Sequence, residues 1–518
     1  MFNFSVSAAN VAAYIIFALY IAVIIVVSIV CRRKSSSVNE FLFSKKGVGG
    51  WLTAFAYGTS YFSAVVFVGY AGQFGWKYGL ASTWIGLGNA IIGSLLAWVV
   101  LGRRTKVMTQ HLNSKTMPDF FGERFDSKAL KITASAIVFI FLVPYTASVY
   151  NGLSRLFGMA FNIRYTYCVL VMAIFTGIYV ILGGYMATAI NDFIQGIIML
   201  GGIVAVIAAV LSGQGGFIQA IRTMAEIPSD IEVTMGQPGA FTSFFGPDPL
   251  NLLGVVILTS LGTWGLPQMV GKFYAIKDEK SIKTGTVVST LFAVVISGGC
   301  YFLGGFGRLF DNPSIYDAET GAVIYDSIIP YMLSTLPDIL IGIVVVLVLS
   351  ASMSTLASLV LTSSSTLTLD FLKDNVMKNM DEKKQVRTMQ VLVVFFIVLS
   401  VVIAMDPPTF IAQLMGISWG ALAGAFLAPF LYGLYWKGVT KAAVWASFAS
   451  GVGITVSNMF LKYIASPINA GAIAMIVGLI IVPIVSVITP KLRKEKVDDI
   501  FTCYDEKVTI TKKSSLEE

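Results

Sequence analysis

The chain has 518 residues, of which 56% are hydrophobic and 12% charged, and its mean hydropathy is +0.79. Soluble domains carry about 25% charged residues, so this composition predicts a multi-pass protein of the cell membrane, with the lipid bilayer as its surroundings. The net charge of +8 follows the membrane topology described below and does not indicate a nucleic-acid partner. The single histidine, His111, excludes a histidine-based metal centre. No nucleophile–base arrangement is visible either, so we predict that the protein is not an enzyme.

Thirteen apolar runs of about 20 residues, the length that spans a bilayer, follow one another along the chain. Their predicted bounds, numbered here as spans 1 to 13, are 10–31, 50–71, 80–101, 129–160, 164–182, 187–211, 251–272, 281–309, 337–361, 385–405, 409–435, 441–464 and 468–489. When the loops are assigned alternately to the two sides, 30 of the 36 Lys and Arg residues fall on one side. The positive-inside rule therefore places the N-terminus outside and the C-terminus in the cytoplasm.

Spans 2 and 7 carry helix-breaking residues near their middle, at positions 58–60 (GTS) and 262–267 (GTWGLP). Glycine and proline release backbone groups from helical hydrogen bonding, and such groups are tolerated at membrane depth only where they line a cavity. The breaks open two successive blocks of five spans, and because five is odd, the second block has the opposite orientation. Paired interrupted helices in inverted blocks indicate the central binding site of a secondary transporter. Kinks that serve packing alone are the alternative.

These blocks predict the organisation of the whole chain. The predicted segments are an extra N-terminal helix and cytoplasmic loop (1–49), a first inverted repeat of spans 2 to 6 (50–212), an extracellular loop (213–249), a second inverted repeat of spans 7 to 11 (250–436), spans 12 and 13 (437–490) and a cytoplasmic tail (491–518). The tail after Pro490 is polar, and we expect it to be disordered.

Span 9 contains the run VLSASMSTLASLVL, which is apolar enough for a membrane and yet rich in hydroxyl groups. On a helix, Ala351, Ser354, Thr355 and Ser358 form one continuous stripe. Hydroxyl groups at membrane depth need partners that lipid does not offer, and hard cations such as sodium take oxygen ligands. The stripe therefore predicts either a sodium site or the close packing of two helices that small residues allow.

Four stretches together carry a resemblance to a known family. They are YVILGGYMATAINDFIQG at 179–196, SMSTLASL in span 9, TMPDFFGERF at 116–125 and GISWGALAGAFLAPFLYGLYW in span 11. With them the chain resembles the sodium/solute symporter family over nearly its whole length, and the pantothenate- and proline-type branches more than the sugar-type branch. The resemblance implies an all-α fold of the leucine-transporter type, with five plus five inverted helices, and Na⁺ as the co-transported ion.

The resemblance also implies which residues bind sodium. The family's common sodium site would take the backbone carbonyls of Thr59, Phe62 and Ala351 and the hydroxyls of Ser354 and Thr355. These positions coincide with the hydroxyl stripe of span 9, which favours the sodium interpretation of that stripe over the packing interpretation.

Asp192 is a carboxylate inside an apolar span, and intramembrane acids are costly and usually functional. The alternative is a first-turn aspartate that the helix N-terminus stabilises. Some members of the resembled family use this aspartate with serines of span 9 for a second sodium. In this chain Asp192, Ser354 and Ser358 match that pattern, whereas Ala357 stands where a serine would complete it.

By resemblance the solute pocket lies between the two breaks, next to spans 4, 7 and 11. The candidate substrate-binding residues are Ser60, Tyr61, Ser63, Tyr145, Trp264, Gln268 and Trp419. Proline-type members carry an aspartate where this chain has Tyr61, and we expect no Lys or Arg in the pocket. A carboxylate would then be held by helix-end amides and by sodium.

The expected function is sodium-coupled import of a small monocarboxylate or zwitterion (pantothenate-, amino-acid- or monocarboxylate-like) by alternating access, without an obligate protein partner. The alternatives are a sodium/sugar symporter, a proton-coupled carrier of the same fold that uses Asp192, and a non-transporting receptor or channel.

Overall fold

The computed structural model describes residues 8–32, 49–161, 163–377 and 380–505, with the backbone alone at 182–187 and in parts of the first helix. The described residues form helices and connecting turns, with no strand and one isolated β-bridge between Tyr316 and Val323. The predicted all-α architecture is therefore confirmed for this part of the chain. The predicted cytoplasmic loop between spans 1 and 2 lies at 33–48, outside the described residues, as does the end of the tail at 506–518.

The α-helices follow the apolar runs and are separated or extended by short 3₁₀ and π segments. In chain order they are α1 (Ala8–Arg32), α2 (Gly50–Tyr61), α3 (Ala71–Tyr78), α4 (Thr83–Gly88), α5 (Arg103–His111), α6 (Met117–Arg124), α7 (Lys128–Phe161), α8 (Tyr165–Gly213), α9 (Phe217–Glu226), α10 (Pro249–Val256), α11 (Pro267–Tyr274), α12 (Glu279–Ala293), α13 (Gly299–Gly304), α14 (Tyr325–Ser334), α15 (Asp338–Thr366), α16 (Glu382–Met405), α17 (Ile411–Tyr435), α18 (Lys441–Leu461), α19 (Pro467–Ile488) and α20 (Lys494–Thr502).

Within the described residues, nine helices are long and apolar enough to cross a membrane, or ten if one bent pair counts as a single span. Two shorter apolar helices, Ala18–Val27 and Tyr165–Ile181, add to this set. The count of thirteen spans and the orientation of the termini stay predictions. The turn expected between spans 5 and 6 is not seen, because α8 is helical through 182–187. This stretch contains two glycines but no proline, so every residue in it keeps its backbone N–H donor.

The break predicted in span 7 is confirmed. The segment Pro249–Gly265 and helix α11 meet at an angle of 45°. Leu266 is extended there (φ −89°, ψ 120°), and Pro267 occupies the first turn of α11. Proline is favoured at this position because its missing N–H would have no intrahelical partner.

The break predicted at 58–60 in span 2 lies further along the chain. Helix α2 continues to Tyr61, because the Phe62 N–H still bonds to the Gly58 carbonyl at 3.3 Å. Phe62 is extended (φ −111°, ψ 102°), and a π-helix over Val65–Tyr70 follows and leads into α3. The glycine alone therefore does not end the helix; the break comes at 62–63.

The expectation of a disordered tail after Pro490 is wrong for residues 494–505. Helix α20 buries Val497 and Ile500, and Cys503 is buried in the turn that follows it. The Lys437 Nζ contacts Asp498 Oδ1 at 2.6 Å, and the Tyr504 hydroxyl donates to the Leu434 carbonyl. Apolar burial and these polar contacts hold this stretch against the end of α17.

Helix α17 lies at the centre of the bundle and is buried on nearly all its faces. Its glycines allow the close approach of α19 and α18: a Cβ at Gly420 would lie 2.7 Å from the Gly471 Cα, and one at Gly424 would lie 3.0 Å from the Gly451 Cα. Small residues permit such contacts between membrane helices. The end of the bundle at which Arg103, Lys115 and α20 lie is called the basic end below.

Candidate functional site

The broken helix α2 and the long helix α15 meet at a cluster of oxygen atoms. The Thr355 hydroxyl lies 3.3 Å from the Thr59 carbonyl, 3.3 Å from the Ser60 carbonyl and 3.1 Å from the Ala351 carbonyl. All four residues are fully buried or nearly so. Carbonyl groups at the end of α2 are available for this contact because the helix stops at Tyr61, leaving its last carbonyls without helical partners.

A second row of contacts runs between the side chains of the same helices. The hydroxyl oxygens of Thr59 and Ser354 lie 2.8 Å apart, and those of Ser60 and Ser358 also lie 2.8 Å apart. The structure thus brings together four of the five predicted sodium ligands. The fifth, Phe62, lies at the start of the extended segment, where its ring stacks on Tyr61 with 4.3 Å between centroids.

Asp192 lies deep within α8, with 1% of its side chain exposed. Neither carboxylate oxygen accepts a hydrogen bond from a described residue. The nearest cation is the Lys272 ammonium, 4.0 Å from Asp192 Oδ2. Lys272 also donates to the Ser358 hydroxyl at 2.9 Å. The expectation that no Lys or Arg lies near the pocket is therefore wrong.

The sequence did contain a signal for this lysine, since Lys272 falls at the end of an apolar run, five residues after Pro267. A charge in that place is costly unless it has a partner. The positive-inside count treats Lys272 as a loop residue, and a charge in a loop has no free-energy cost that would require a partner. Helix α11 is buried along Pro267–Val270 and Lys272–Tyr274, so the ammonium turns inward toward α15 instead of reaching the solvent.

A cavity extends from this lysine toward the basic end. Its wall includes Gln268 and Lys272 of α11, Ser358 and Thr362 of α15, and Lys115 of the loop before α6. The hydroxyl row and the cavity therefore share Ser358, so a solute in the cavity would lie next to the oxygen cluster.

Three of the substrate candidates already have partners within the protein. The Tyr61 hydroxyl donates to the Thr259 carbonyl, and the Trp264 indole N–H donates to the Ile92 carbonyl at 3.0 Å. The Ser63 hydroxyl accepts from the Val65 amide at 3.2 Å, which orders the restart of the chain after the break. These three side chains stabilise the two breaks, and their polar atoms form hydrogen bonds with backbone groups of the protein instead of facing a solute.

The other candidates divide into two pairs. Ser60 belongs to the hydroxyl row, and Tyr145 packs edge-on against Trp419 with 5.8 Å between ring centroids. The amide of Gln268 and the indole N–H of Trp419 are buried and have no hydrogen-bond partner among the described residues. Buried polar groups are normally paired, so Gln268 and Trp419 are the candidates with donor or acceptor capacity left for a solute.

The opposite end of the bundle is covered by the two long loops and α14. Arg308 donates to the Trp76 carbonyl at 2.8 Å and to Asp230 at 2.6 Å. Asp326 of α14 accepts from the Ile411 amide at 3.2 Å and lies 3.9 Å from Arg155 Nε. These contacts connect the loops and α14 to α3, α7 and α17 at this end, while the cavity lined by Gln268 and Lys272 extends toward the basic end.

Comparisons with known proteins show the family and the fold of the chain. The sequence model of the sodium:solute symporter family matches residues 41–451. A sodium/proline symporter of Staphylococcus aureus is 27% identical over 501 residues, covering 94% of both chains, and that of strain NCTC 8325 is 28% identical over 504 residues with the same coverage.

Two solved structures share the fold. A Na⁺-coupled sialic acid symporter in a substrate-bound outward-open state has a TM-score of 0.75 at 16% identity, covering 94% of this chain and 100% of that one. MHP1, a nucleobase-cation-symport-1 family transporter, has a TM-score of 0.51 at 13% identity, covering 89% of this chain and 98% of that one. The helical fold is thus shared with secondary transporters.

Proposed function

Since the chain belongs to the sodium:solute symporter family, we propose that it imports a small monocarboxylate or zwitterion by alternating access. It is a multi-pass protein of the cell membrane, and sodium is the ion that it co-transports. The two breaks, at 62–63 and near Leu266, lie in the first span of each of the two inverted blocks in this proposal, whose bounds we take as 50–212 and 250–436.

The oxygen cluster between α2 and α15 is the observation that carries the proposal. The Thr59 and Ala351 carbonyls and the Ser354 and Thr355 hydroxyls converge from two helices that are far apart in the sequence. A hard cation takes such oxygen ligands. In our proposal sodium binds there, with the Phe62 carbonyl as a further ligand, and holds α2 against α15.

Release follows from the same contacts. The Thr355 hydroxyl lies 3.1 to 3.3 Å from the Thr59, Ser60 and Ala351 carbonyls, so in our proposal it can donate to one of these oxygens once the ion has left. The cavity then extends from Ser358 toward the basic end, which the positive-inside rule predicts to be cytoplasmic. The geometry accordingly fits an inward-facing stage of the transport cycle.

The solute class is proposed from one polar group that lines the cavity and from an aromatic pair of α7 and α17. Gln268 lines the cavity and offers an amide, while Trp419 and Tyr145, which do not line it, offer an indole N–H and aromatic surface. A small solute with one carboxylate and an apolar body matches that combination better than a sugar, which needs several buried polar partners. The S. aureus relatives are named sodium/proline symporters, and we include proline among the solutes to be tested.

One sodium supplies enough free energy for concentrative uptake. A charge crossing 100 mV yields about 2.3 kcal/mol, and a tenfold sodium gradient adds about 1.4 kcal/mol. Together they support an accumulation of several hundred-fold, on the order of what a scavenging carrier requires. A second co-transported ion is not needed by this estimate.

Uptake into proteoliposomes tests the proposal. We would load vesicles with potassium, impose an inward sodium gradient, and follow radiolabelled proline, pantothenate, a short monocarboxylate and glucose in parallel. The expected result is accumulation of one carboxylate-bearing solute that stops when choline replaces sodium. Uptake that follows an imposed proton gradient without sodium would instead support the proton-coupled alternative, and accumulation of glucose alone would support the sugar alternative.

A further inference from the structure

Lys272 occupies the place at which the sequence suggested a second sodium. The sequence predicts this second site from Asp192, Ser354 and Ser358. In the structure the Lys272 ammonium donates to Ser358 at 2.9 Å and lies 4.0 Å from Asp192 Oδ2, with 5% of the residue exposed. The ammonium places a positive charge between Ser358 and Asp192, where a second sodium ion would carry one, but this charge is covalently part of α11.

The charges of this pair explain why both groups are tolerated in the bundle. A lone carboxylate or ammonium in a low-dielectric interior is strongly destabilising, and removing one partner of a buried pair leaves the other uncompensated. Asp192 accepts no hydrogen bond from a described side chain or backbone group, so the nearby ammonium is the charge that compensates it. Lys272 therefore compensates the negative charge of Asp192, as a second sodium ion at this position would.

The lysine is also connected to the cluster that we assign to the first sodium. The Lys272 ammonium can only donate hydrogen bonds, so the Ser358 oxygen is the acceptor in this contact. The Ser358 hydroxyl hydrogen is then available for a hydrogen bond to the Ser60 oxygen, which lies 2.8 Å away. The Ser60 oxygen lies 3.5 Å from that of Ser354. A chain of polar contacts thus leads from α11 to the end of α2.

From this geometry we infer that Lys272 is a tethered cation that excludes a second sodium from the Asp192 site and sets the coupling at one sodium per solute. The inference rests on the proposed sodium symport and adds its stoichiometry. A sodium ion entering beside Asp192 would have to displace the ammonium, and the displaced ammonium would then be buried without its carboxylate. Removal of the lysine charge leaves Asp192 and Ser358 free to bind an ion.

Equilibrium binding of ²²Na⁺ to the purified full-length protein tests the inference without knowledge of the solute. The wild type is expected to bind one sodium per chain with a Hill coefficient of about 1. Lys272→Met, which keeps the length of the side chain and removes its charge, is expected to bind two with a Hill coefficient approaching 2. Lys272→Arg retains a cation and is expected to bind one. Lys277→Met alters an exposed lysine five residues further on and serves as the matched control.

Two further variants make the result interpretable. The double variant Lys272→Met with Asp192→Asn is expected to return to one sodium, because the carboxylate that binds the second ion is gone. If Lys272→Met does not yield a monodisperse protein, the inference is tested on the wild type and on Asp192→Asn. Each of these two proteins is expected to bind one sodium ion per chain. Two sodium ions on the wild type, or one on folded Lys272→Met, would overturn the inference. No sodium on the wild type would instead contradict the proposed symport itself.

Discussion

The hydroxyl groups of Thr59 and Ser354 lie 2.8 Å apart, although 295 positions separate the two residues in the chain. The contact joins the last turn of α2 to the middle of α15. Both residues are fully buried, so water does not compete for these groups, and an unmade hydrogen bond there would carry the full desolvation penalty of about 1–3 kcal/mol. In the proposed sodium site, an ion bound between these hydroxyls would therefore favour the association of the two helices.

The first prediction concerns the proposed sodium ligands. Ser354→Ala and Thr355→Ala each remove one hydroxyl oxygen from the cluster, and we expect the sodium concentration for half-maximal uptake to rise about tenfold or more, which corresponds to ~1.4 kcal/mol. Uptake in proteoliposomes at varied sodium concentration measures this. Ser400→Ala, a buried serine of α16 that bonds to the Phe396 carbonyl of its own helix, is the matched control. Unchanged sodium dependence in both site variants would disprove the assignment.

The second prediction separates solute binding from stability at Gln268. Gln268→Leu removes a buried amide that has no partner among the described residues, so we expect the melting temperature without solute to change little. The apparent affinity for solute should fall about fivefold, because one hydrogen bond contributes on the order of 1 kcal/mol. Initial uptake rates at varied solute concentration measure the affinity. Gln390→Leu, on the partly exposed face of α16, should leave both quantities unchanged. A full-affinity Gln268→Leu transporter would exclude the residue from the pocket.

The third prediction tests the close contact between α3 and α13. A Cβ at Gly75 would lie 1.9 Å from the Gly304 carbonyl oxygen, a backbone atom that no side-chain rotation can move. Gly75→Ala should therefore lower the melting temperature, with a loss of at least about 1–3 kcal/mol as found for overpacked sites. Fluorescence-detected size-exclusion chromatography after heating measures this. At Gly201 a Cβ would meet no described atom within 4 Å, and Gly201→Ala should be neutral or stabilising. Equal melting temperatures for the two variants would contradict the packing described.

The fourth prediction concerns pH and Asp326. Burial raises the pKa of Asp326 to about 6, against the opposing effects of Arg155 and the Ile411 amide. Once the protein unfolds, the carboxyl titrates near 3.9, so the folded state binds this proton more tightly. The resulting stabilisation is complete below pH 4 and is lost as the pH rises through 6.

Thermal unfolding between pH 4.5 and 7.5 tests that sign. Asp326→Asn has no proton to lose at this position, so its melting temperature relative to the wild type should increase as the pH rises. Glu232→Gln, in the exposed loop after α9, provides the control. A difference between Asp326→Asn and the wild type that stays constant across the range would show that Asp326 is not buried as described.

Local patterns in the sequence were sufficient for several features. Proline and the surrounding glycines predicted the bend before α11, because a residue without an N–H cannot continue a helical ladder. Helical spacing placed Ala351, Ser354 and Thr355 on one face, and in the structure the hydroxyls of Ser354 and Thr355 contact the end of α2. Glycine at position 58 misled the prediction for span 2, since glycine weakens a helix without removing its hydrogen bonds.

The amino-acid sequence by itself determined that this is a helical membrane protein, where its second broken helix lies and which face of α15 carries oxygen atoms, since each depends on residues close together in the chain. Only the tertiary structure decided that Lys272 turns inward to Asp192 and Ser358. The same holds for the polar groups of Tyr61 and Trp264, which donate hydrogen bonds to backbone carbonyls of the protein, and for the packing of α20 against the end of α17. Those outcomes depend on which distant helix supplies a partner, and helical periodicity contains no information about distant partners.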